Sequence, residues 1–454
     1  MPRLNIESLS HDGKGLARIG GKVAFVAGAL AGEVVSAELA QRHRRFDEYR
    51  LLEVLEASAD RVNPPCPLIG RCGGCDLQHL AEGAQLAHKT RVLLDQLARQ
   101  SGLSPEAMLP PLTSEPFAYR RRARLAVSVP RRGGRASIGL RVAGGKDVVP
   151  IDRCPVLVPA VESLPGRLQA LLNGLERPAA LGHVELSVSE TDDGAAIPVI
   201  YLRMVTEPTV RDRSAMSDFA IGERAYLAFR IGEGALDYLH RPQPQDPGYR
   251  LPAFDLRLGY LPGAFMQGNG AINRALVDQV VTWTVSMDGS RVLDGFCGVG
   301  NFALPMARRG LAVHGVEVSP DAVAMARDNA ARNGLADVSF EVRDLAGDAD
   351  WLRHLSFDAA VIDPPRTGAR ALIAALAARR LENIVYVSCA PATLARDAAV
   401  LAGAGYELVS LRLVDMFPQT SHIESVSLFR LSRRGRRRSG QRGNAAGGQT
   451  SAGA

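Results

Sequence analysis

Aromatic residues make up only 5% of the 454 residues, with two tryptophans among them. Nowhere does the chain run to about 18 uncharged apolar residues in succession, which excludes a membrane-spanning helix. The opening MPRLNIESLSHDGKG lacks the basic segment and following apolar run of an export signal, so a cytoplasmic location and no membrane partner are expected. Six cysteines are too few to frame so long a chain with disulfides. In a reducing compartment they read as ligands or nucleophiles wherever they cluster. With 46% hydrophobic and 22% charged residues, the composition is that of an ordinary globular protein, neither collagenous nor low-complexity. Its length suggests roughly three domains.

Positive charge is what the chain has in excess. The formal net charge is +6 and the arginines gather in groups: Arg42, Arg44 and Arg45; Arg120, Arg121, Arg122 and Arg124; and Arg433, Arg434, Arg436, Arg437 and Arg438. One such group would be an ordinary solvated face. Several on separate segments fit a polyanionic partner, because each phosphate contact releases counterions.

Residues 1–60 alternate in the strand period between turn signals such as His11-Asp12-Gly13-Lys14-Gly15 and Gly20-Gly21, and read as a small OB-like β-barrel. Residues 61–265 read as a β-rich central region. It includes one helix-period stretch, Ala84 to Gln100, that could pack on the domain after it. Residues 266–432 alternate apolar strands (SRVLD, LAVHGVE, VSFEVRD, FDAAVID, NIVYVSC, ESVSLFRL) with amphipathic helices, the pattern of an α/β, doubly wound sheet covered on both faces. Residues 433–454 are basic, have nothing to bury, and are expected to be disordered.

In the doubly wound region a glycine turn, Asp294-Gly-Phe-Cys-Gly-Val-Gly300-Asn301, follows the first strand at the carboxyl edge where such sheets bind ligands. Its glycines run G-x-x-G-x-G rather than G-x-G-x-x-G, which favours an adenosine ligand other than NAD. Glu317 ends the second strand, placed for ribose hydroxyls, and Asp344 follows the third, placed for an adenine amine. Asp363-Pro364-Pro365-Arg366 holds a carboxylate at the cleft edge by proline rigidity, and its fourth position is not the aromatic that amino-methyltransferases use. Cys389 ends the next strand beside that loop. Elsewhere a strand-end thiol would be a small hydrophobe; here it is a candidate nucleophile.

FMQGNG, DPPRTGAR, VSCAPATLARD and DMFPQTSHIE together resemble the RNA uracil-C5 methyltransferase family through the C-terminal half of the chain. The resemblance implies a Rossmann-like domain using S-adenosyl-L-methionine as methyl donor. Carbon 5 of uracil is too weak a nucleophile to take the methyl group unaided. A thiolate therefore first adds to carbon 6, and after methyl transfer a base removes the carbon 5 proton. By that resemblance Cys389 is the nucleophile and Glu424 the base. Gln267, Phe296, Asn301, Glu317, Asp344 and Asp363 would contact the donor or the cleft, with Asp363 also orienting the target base. Ala390 replaces a usual Asn, Gln419 a usual His, and AFVAGALAGE carries alanines where prolines are common.

Cys66-x5-Cys72-x2-Cys75, with a distant Cys154, suits either zinc or an iron–sulfur cluster, and a single Cys-x2-Cys pair slightly favours the latter. The family subgroup with this pattern and CGGCDLQHL carries a 4Fe-4S cluster, in a central domain that follows a TRAM barrel, an RNA-binding module. That combination resembles the members that methylate 23S ribosomal RNA, and such a chain is expected to act as a monomer. Two alternatives remain at this point: a uracil-C5 methyltransferase acting on tRNA or another rRNA uracil, and a non-catalytic RNA-binding iron–sulfur protein.

Overall fold

Strands Arg3–Asn5, Ser8–Leu9, Gly15–Ile19, Lys22–Ala27, Val34–Arg42 and Phe46–Glu56 form one six-stranded sheet. Its alternating inward residues Leu4, Ala17, Ala24, Val26, Val35 and Ala37 make a small core of their own. The computed structural model describes residues 2–130, 135–347 and 349–432, so the basic tail at 433–454 lies outside the described residues. Among the described residues no helix is long and apolar enough to cross a membrane.

A seven-stranded sheet forms the middle of the molecule. Its two longest strands, Leu181–Glu190 and Ala196–Met204, pair antiparallel, and helices Leu164–Gly174 and Val210–Gly222 contribute to its core. Of the second arginine group, only part is a solvated basic face. Arg121 is 4% exposed, lies 4.7 Å over the Tyr249 ring and pairs with Glu190, while its Nε donates to the Gln267 carbonyl at 2.9 Å. Its guanidinium therefore works as a buried tie between the middle of the chain and the cleft.

The third sheet has eight strands in the order Val338–Val342, Ala312–Glu317, Arg291–Gly295, Ala359–Ile362, Asn383–Ser388, Glu424–Leu431, Tyr406–Val414 and Ala107–Leu112. The first five run parallel, and Glu424–Leu431 runs antiparallel to both its neighbours. Two of these strands are not apparent in the sequence pattern. Tyr406–Val414 is hidden because Glu407 and Arg412 interrupt its apolar run. Ala107–Leu112 contains Pro110 and Pro111, which normally argue against a strand but are tolerated at a sheet edge, where this strand lies.

Helix Glu82–Ser101 buries Val92, Leu93 and Leu97 in the same core as Leu394, Ala398 and Leu401 of helix Pro391–Gly403 and Leu408 of the third sheet. Residues 82–112 thus complete the α/β sheet, although their sequence position falls within the 61–265 segment. Leu97 is 0% exposed. Leu97→Ala is expected to cost about 2–5 kcal/mol, seen as a lower unfolding midpoint in denaturant, and a surface value below about 0.5 kcal/mol would contradict this packing.

Candidate active site

The carboxyl edge of the third sheet gathers most of the expected residues. After strand Arg291–Gly295 the chain turns sharply, with Phe296 at φ +66° and Gly298 and Gly300 also left-handed. A Cβ on Gly300 would lie 2.8 Å from the Leu304 side chain, so glycine is required there by both conformation and space. Phe296 carries the same φ with a side chain, a strain the turn must hold. Its N–H donates to the Val316 carbonyl at 2.8 Å, and the Gly298 N–H donates to Glu317 Oε2 at 3.2 Å. Glu317 Oε1 accepts from the Ser319 N–H at 3.0 Å, so one carboxylate ties the glycine turn to the start of the next helix.

Asn301 is held in the wall. Its Oδ1 accepts from the Tyr249 hydroxyl and from Asn273 Nδ2, and its own Nδ2 donates to Asn273 Oδ1. Asp344 is exposed just past strand Val338–Val342, and its Oδ1 accepts from the Ala346 N–H at 2.8 Å. The Asp363 N–H donates to the Gly295 carbonyl, and Gln267 Nε2 donates to Asp363 Oδ2 at 3.3 Å.

One further acid lies here that the sequence pattern marks only as the start of the glycine turn. Asp294 is 0% exposed, and burial, with Asp363 and Glu317 nearby, pushes its carboxyl well above the usual range. The signal for it is its place as the last charged residue of a buried central strand.

Cys389 and Glu424 meet through strand register. Ser388 pairs with Ser425 across the antiparallel ladder, so the next residue of one strand, Cys389, faces the preceding residue of the other, Glu424. Burial, then Glu424 and Asp363, push the Cys389 thiol up to about 11, with Arg366 opposing them. Burial and Asp363 raise Glu424 to about 8, against the pull of Arg366 and Lys89, and burial raises Asp363 to about 7. A thiol and two carboxyls that titrate near or above neutrality therefore share one partly enclosed corner, with Arg366 as the adjacent cation.

The second gathering of sulfurs lies apart from this corner. Cys66, Cys72, Cys75 and Cys154 line a single concavity whose walls include Leu68, Leu125, Leu140 and Ile151, with Arg120 also on its lining. Among the described residues no three Cys, His, Asp or Glu side chains form a group able to hold a single metal ion.

Residues 254–432 match the family model of the tRNA (Uracil-5-)-methyltransferases, and residues 3–46 match the TRAM domain. The chain is 44% identical over 437 residues to a 23S rRNA (uracil(1939)-C(5))-methyltransferase RlmD of Pseudomonas fluorescens, covering 95% of this chain and 94% of that protein. The chain belongs to this uracil-C5 methyltransferase family. A member of the same name from Shewanella woodyi is 42% identical, covering 94% of this chain and 96% of its own. The Pyrococcus abyssi tRNA (uracil-54, C5)-methyltransferase, solved in complex with S-adenosyl-L-homocysteine, superposes with a TM-score of 0.70 at 25% identity. The match covers 94% of this chain and all of that one. The family's α/β methyltransferase fold and its N-terminal TRAM sheet are both present.

Because the Cys389 thiol titrates near 11, its alkylation should be slow at neutral pH and rise roughly tenfold per pH unit between about pH 7 and 10, read by mass spectrometry of its peptide. Arg366→Ala, which removes the opposing cation, should slow it further. A rate that is flat across this range would contradict the assigned environment.

Proposed function

We propose that this chain transfers a methyl group from S-adenosyl-L-methionine to carbon 5 of a uracil in 23S ribosomal RNA, through a covalent adduct of Cys389 at carbon 6. The observation that supports it best is the ladder register that sets Cys389 opposite Glu424, with Asp363 in electrostatic reach of both.

The methyl donor, when bound, supplies an activated methyl group and carries positive charge on its sulfonium and amine. Asp294, Glu317 and Asp363 make an acidic wall whose ionised forms such a cation would favour, and the left-handed turn at Phe296, Gly298 and Gly300 clears its floor. Gln267 and Asp363, joined by their hydrogen bond, are suited to orient the pyrimidine. Cys389 gives its proton to a neighbouring carboxylate other than Glu424 and adds to carbon 6, and the electron pair this places at carbon 5 takes the methyl group as the donor's methyl–sulfur bond breaks to leave a neutral thioether. Glu424 as carboxylate then takes the carbon 5 proton, the carbon 6–sulfur bond breaks, and Cys389 leaves as the thiolate. The target base must be unstacked to reach this corner, which is cheapest in a loop or in unassembled RNA.

The four cysteines fit a 4Fe-4S cluster. A single tetrahedral ion at ~2.3 Å from each sulfur needs a tight ligand group, whereas a four-iron cluster holds its thiolates farther apart around an apolar concavity. Cys66, Cys72, Cys75 and Cys154 would hold it. Bound there, it would supply a cross-link from the 66–75 loop to Cys154. Anaerobically purified protein should be brown with about four iron atoms per chain, and a colourless preparation containing zinc would reverse the assignment.

Cys389→Ala should abolish methylation while donor binding stays near wild type. Glu424→Gln should retain methyl transfer and trap an RNA–protein adduct that survives denaturing gels. Wild-type turnover in Cys389→Ala would end this reading. Mapping 5-methyluridine in rRNA and tRNA of a deletion strain separates the 23S reading from action on tRNA.

A further inference from the structure

Helix Glu82–Ser101 carries polar side chains buried on one face. Gln85 and Lys89, four residues apart and so stacked along the helix, are 3% and 0% exposed. Both reach the 415–421 segment, the stretch of chain that leads into Glu424. Lys89 Nζ donates to Asp415 Oδ1 at 2.6 Å and to the Phe417 carbonyl at 3.1 Å. Gln85 Oε1 accepts from the Gln419 N–H at 3.0 Å, and its Nε2 donates to Gln419 Oε1 at 3.1 Å. The same Nε2 donates to the carbonyls of Leu77 and Leu80, at 3.1 and 2.8 Å.

The segment is gripped elsewhere too. Gln419 is at φ +68°, a left-handed conformation that persists only where its surroundings enforce it. The N–H groups of Asp76 and Leu77 donate to its carbonyl at 3.1 and 3.0 Å. The Ser421 N–H and Oγ each donate to the Asp76 carboxylate at 2.6 Å, and the Tyr119 hydroxyl donates to the Pro418 carbonyl at 2.9 Å. Glu424 is the first residue of its strand, so the ladder fixes the chain on its C-terminal side and the 415–421 segment fixes the chain on its N-terminal side.

We propose that Gln85 and Lys89 are positioning residues for proton abstraction, setting the 415–421 segment and through it the Glu424 carboxylate against carbon 5 of the adduct. The inference rests on the methyl-transfer reading above. It separates two steps of that reaction: nucleophile and donor turn stand on other strands, so loosening this segment should spare addition and methyl transfer but slow removal of the proton. A base displaced by about 1 Å loses much of its contribution while substrate binding remains.

The test uses full-length protein, S-adenosyl-L-methionine and RNA carrying carbon-5-tritiated uracil, following tritium release and the adduct on denaturing gels. Gln85→Met keeps the size and removes the hydrogen bonds. The paired variant Lys89→Met with Asp415→Leu removes the cation without leaving its partner carboxylate buried alone. For both, release should fall by about tenfold or more with the RNA KM changed less than about threefold, and adduct should accumulate. Arg99→Ala, at the exposed end of the same helix, should behave as wild type. Release within about twofold of wild type in either variant, or weakened RNA binding without adduct, overturns the inference. A wild type that releases no tritium overturns the methyl-transfer reading and this inference together, whereas an active wild type with an unaffected Gln85→Met overturns this inference alone.

Discussion

A parallel sheet delivers strand ends, not strand starts, to its carboxyl edge, so the reactive groups placed there by Arg291–Gly295, Ala312–Glu317, Ala359–Ile362 and Asn383–Ser388 lie at a strand's end or just after it. The reversed strand Glu424–Leu431 breaks that rule and brings its first residue to the same edge. The rest of the site depends on this one antiparallel pairing. Because the side-chain period of a strand is two, a slip of one residue would turn Glu424 to the opposite face and separate it from Cys389. Ser388 and Ser425 are 3% and 1% exposed, with Val387 and Val426 beside them in the core, so the register is fixed by buried side chains on both strands.

Charge around that edge is unbalanced in a way that suits a cationic ligand. Asp294, Glu317, Asp363 and Glu424 gather there, and Arg366 and the buried Lys89 oppose the charge on Glu424. Burial raises Asp363 to about 7, and burial with Asp363 nearby raises Glu424 to about 8. A sulfonium donor would relieve the repulsion and draw the acids back toward the ionised form. The same raised values make the two carboxyls better proton acceptors than ordinary ones, which a thiol titrating near 11 requires if it is to add to a base at neutral pH.

How much of the fold and site is legible in the sequence depends on how local each signal is. Strand ends, glycine turns and capped helices are written in a few adjacent residues. The doubly wound sheet and the edge positions of Glu317, Asp363 and Cys389 are therefore readable directly. Strand Ala107–Leu112 is not, since its prolines forbid a central strand and only the finished sheet shows that it lies at an edge. Arg121 illustrates a different limit: four neighbouring arginines look alike in sequence, and only packing against Tyr249 distinguishes the buried one. Asn301 is expected at the cleft, and only packing shows that its side chain is engaged with Tyr249 and Asn273 in the cleft wall.

The segment before Glu424 also explains why three parts of the chain fold around one another. In the N-terminal sheet domain, Gly13 at φ +78° lies so close to Leu77 that a Cβ there would stand 2.7 Å from the leucine Cδ2 and 3.7 Å from the Ser421 Cβ. Leu77, 0% exposed, shares a small core with Leu30 of the N-terminal sheet domain and Leu80 after the cysteine loop. The N-terminal sheet domain, the cysteine loop and the chain leading to Glu424 thus meet at a single point, with Gln85 beside it. Cutting the molecule into an RNA-binding part and a catalytic part would expose Leu77 and remove the acceptors of Ser421. The N-terminal sheet and the chain that leads into Glu424 therefore belong to one packed unit.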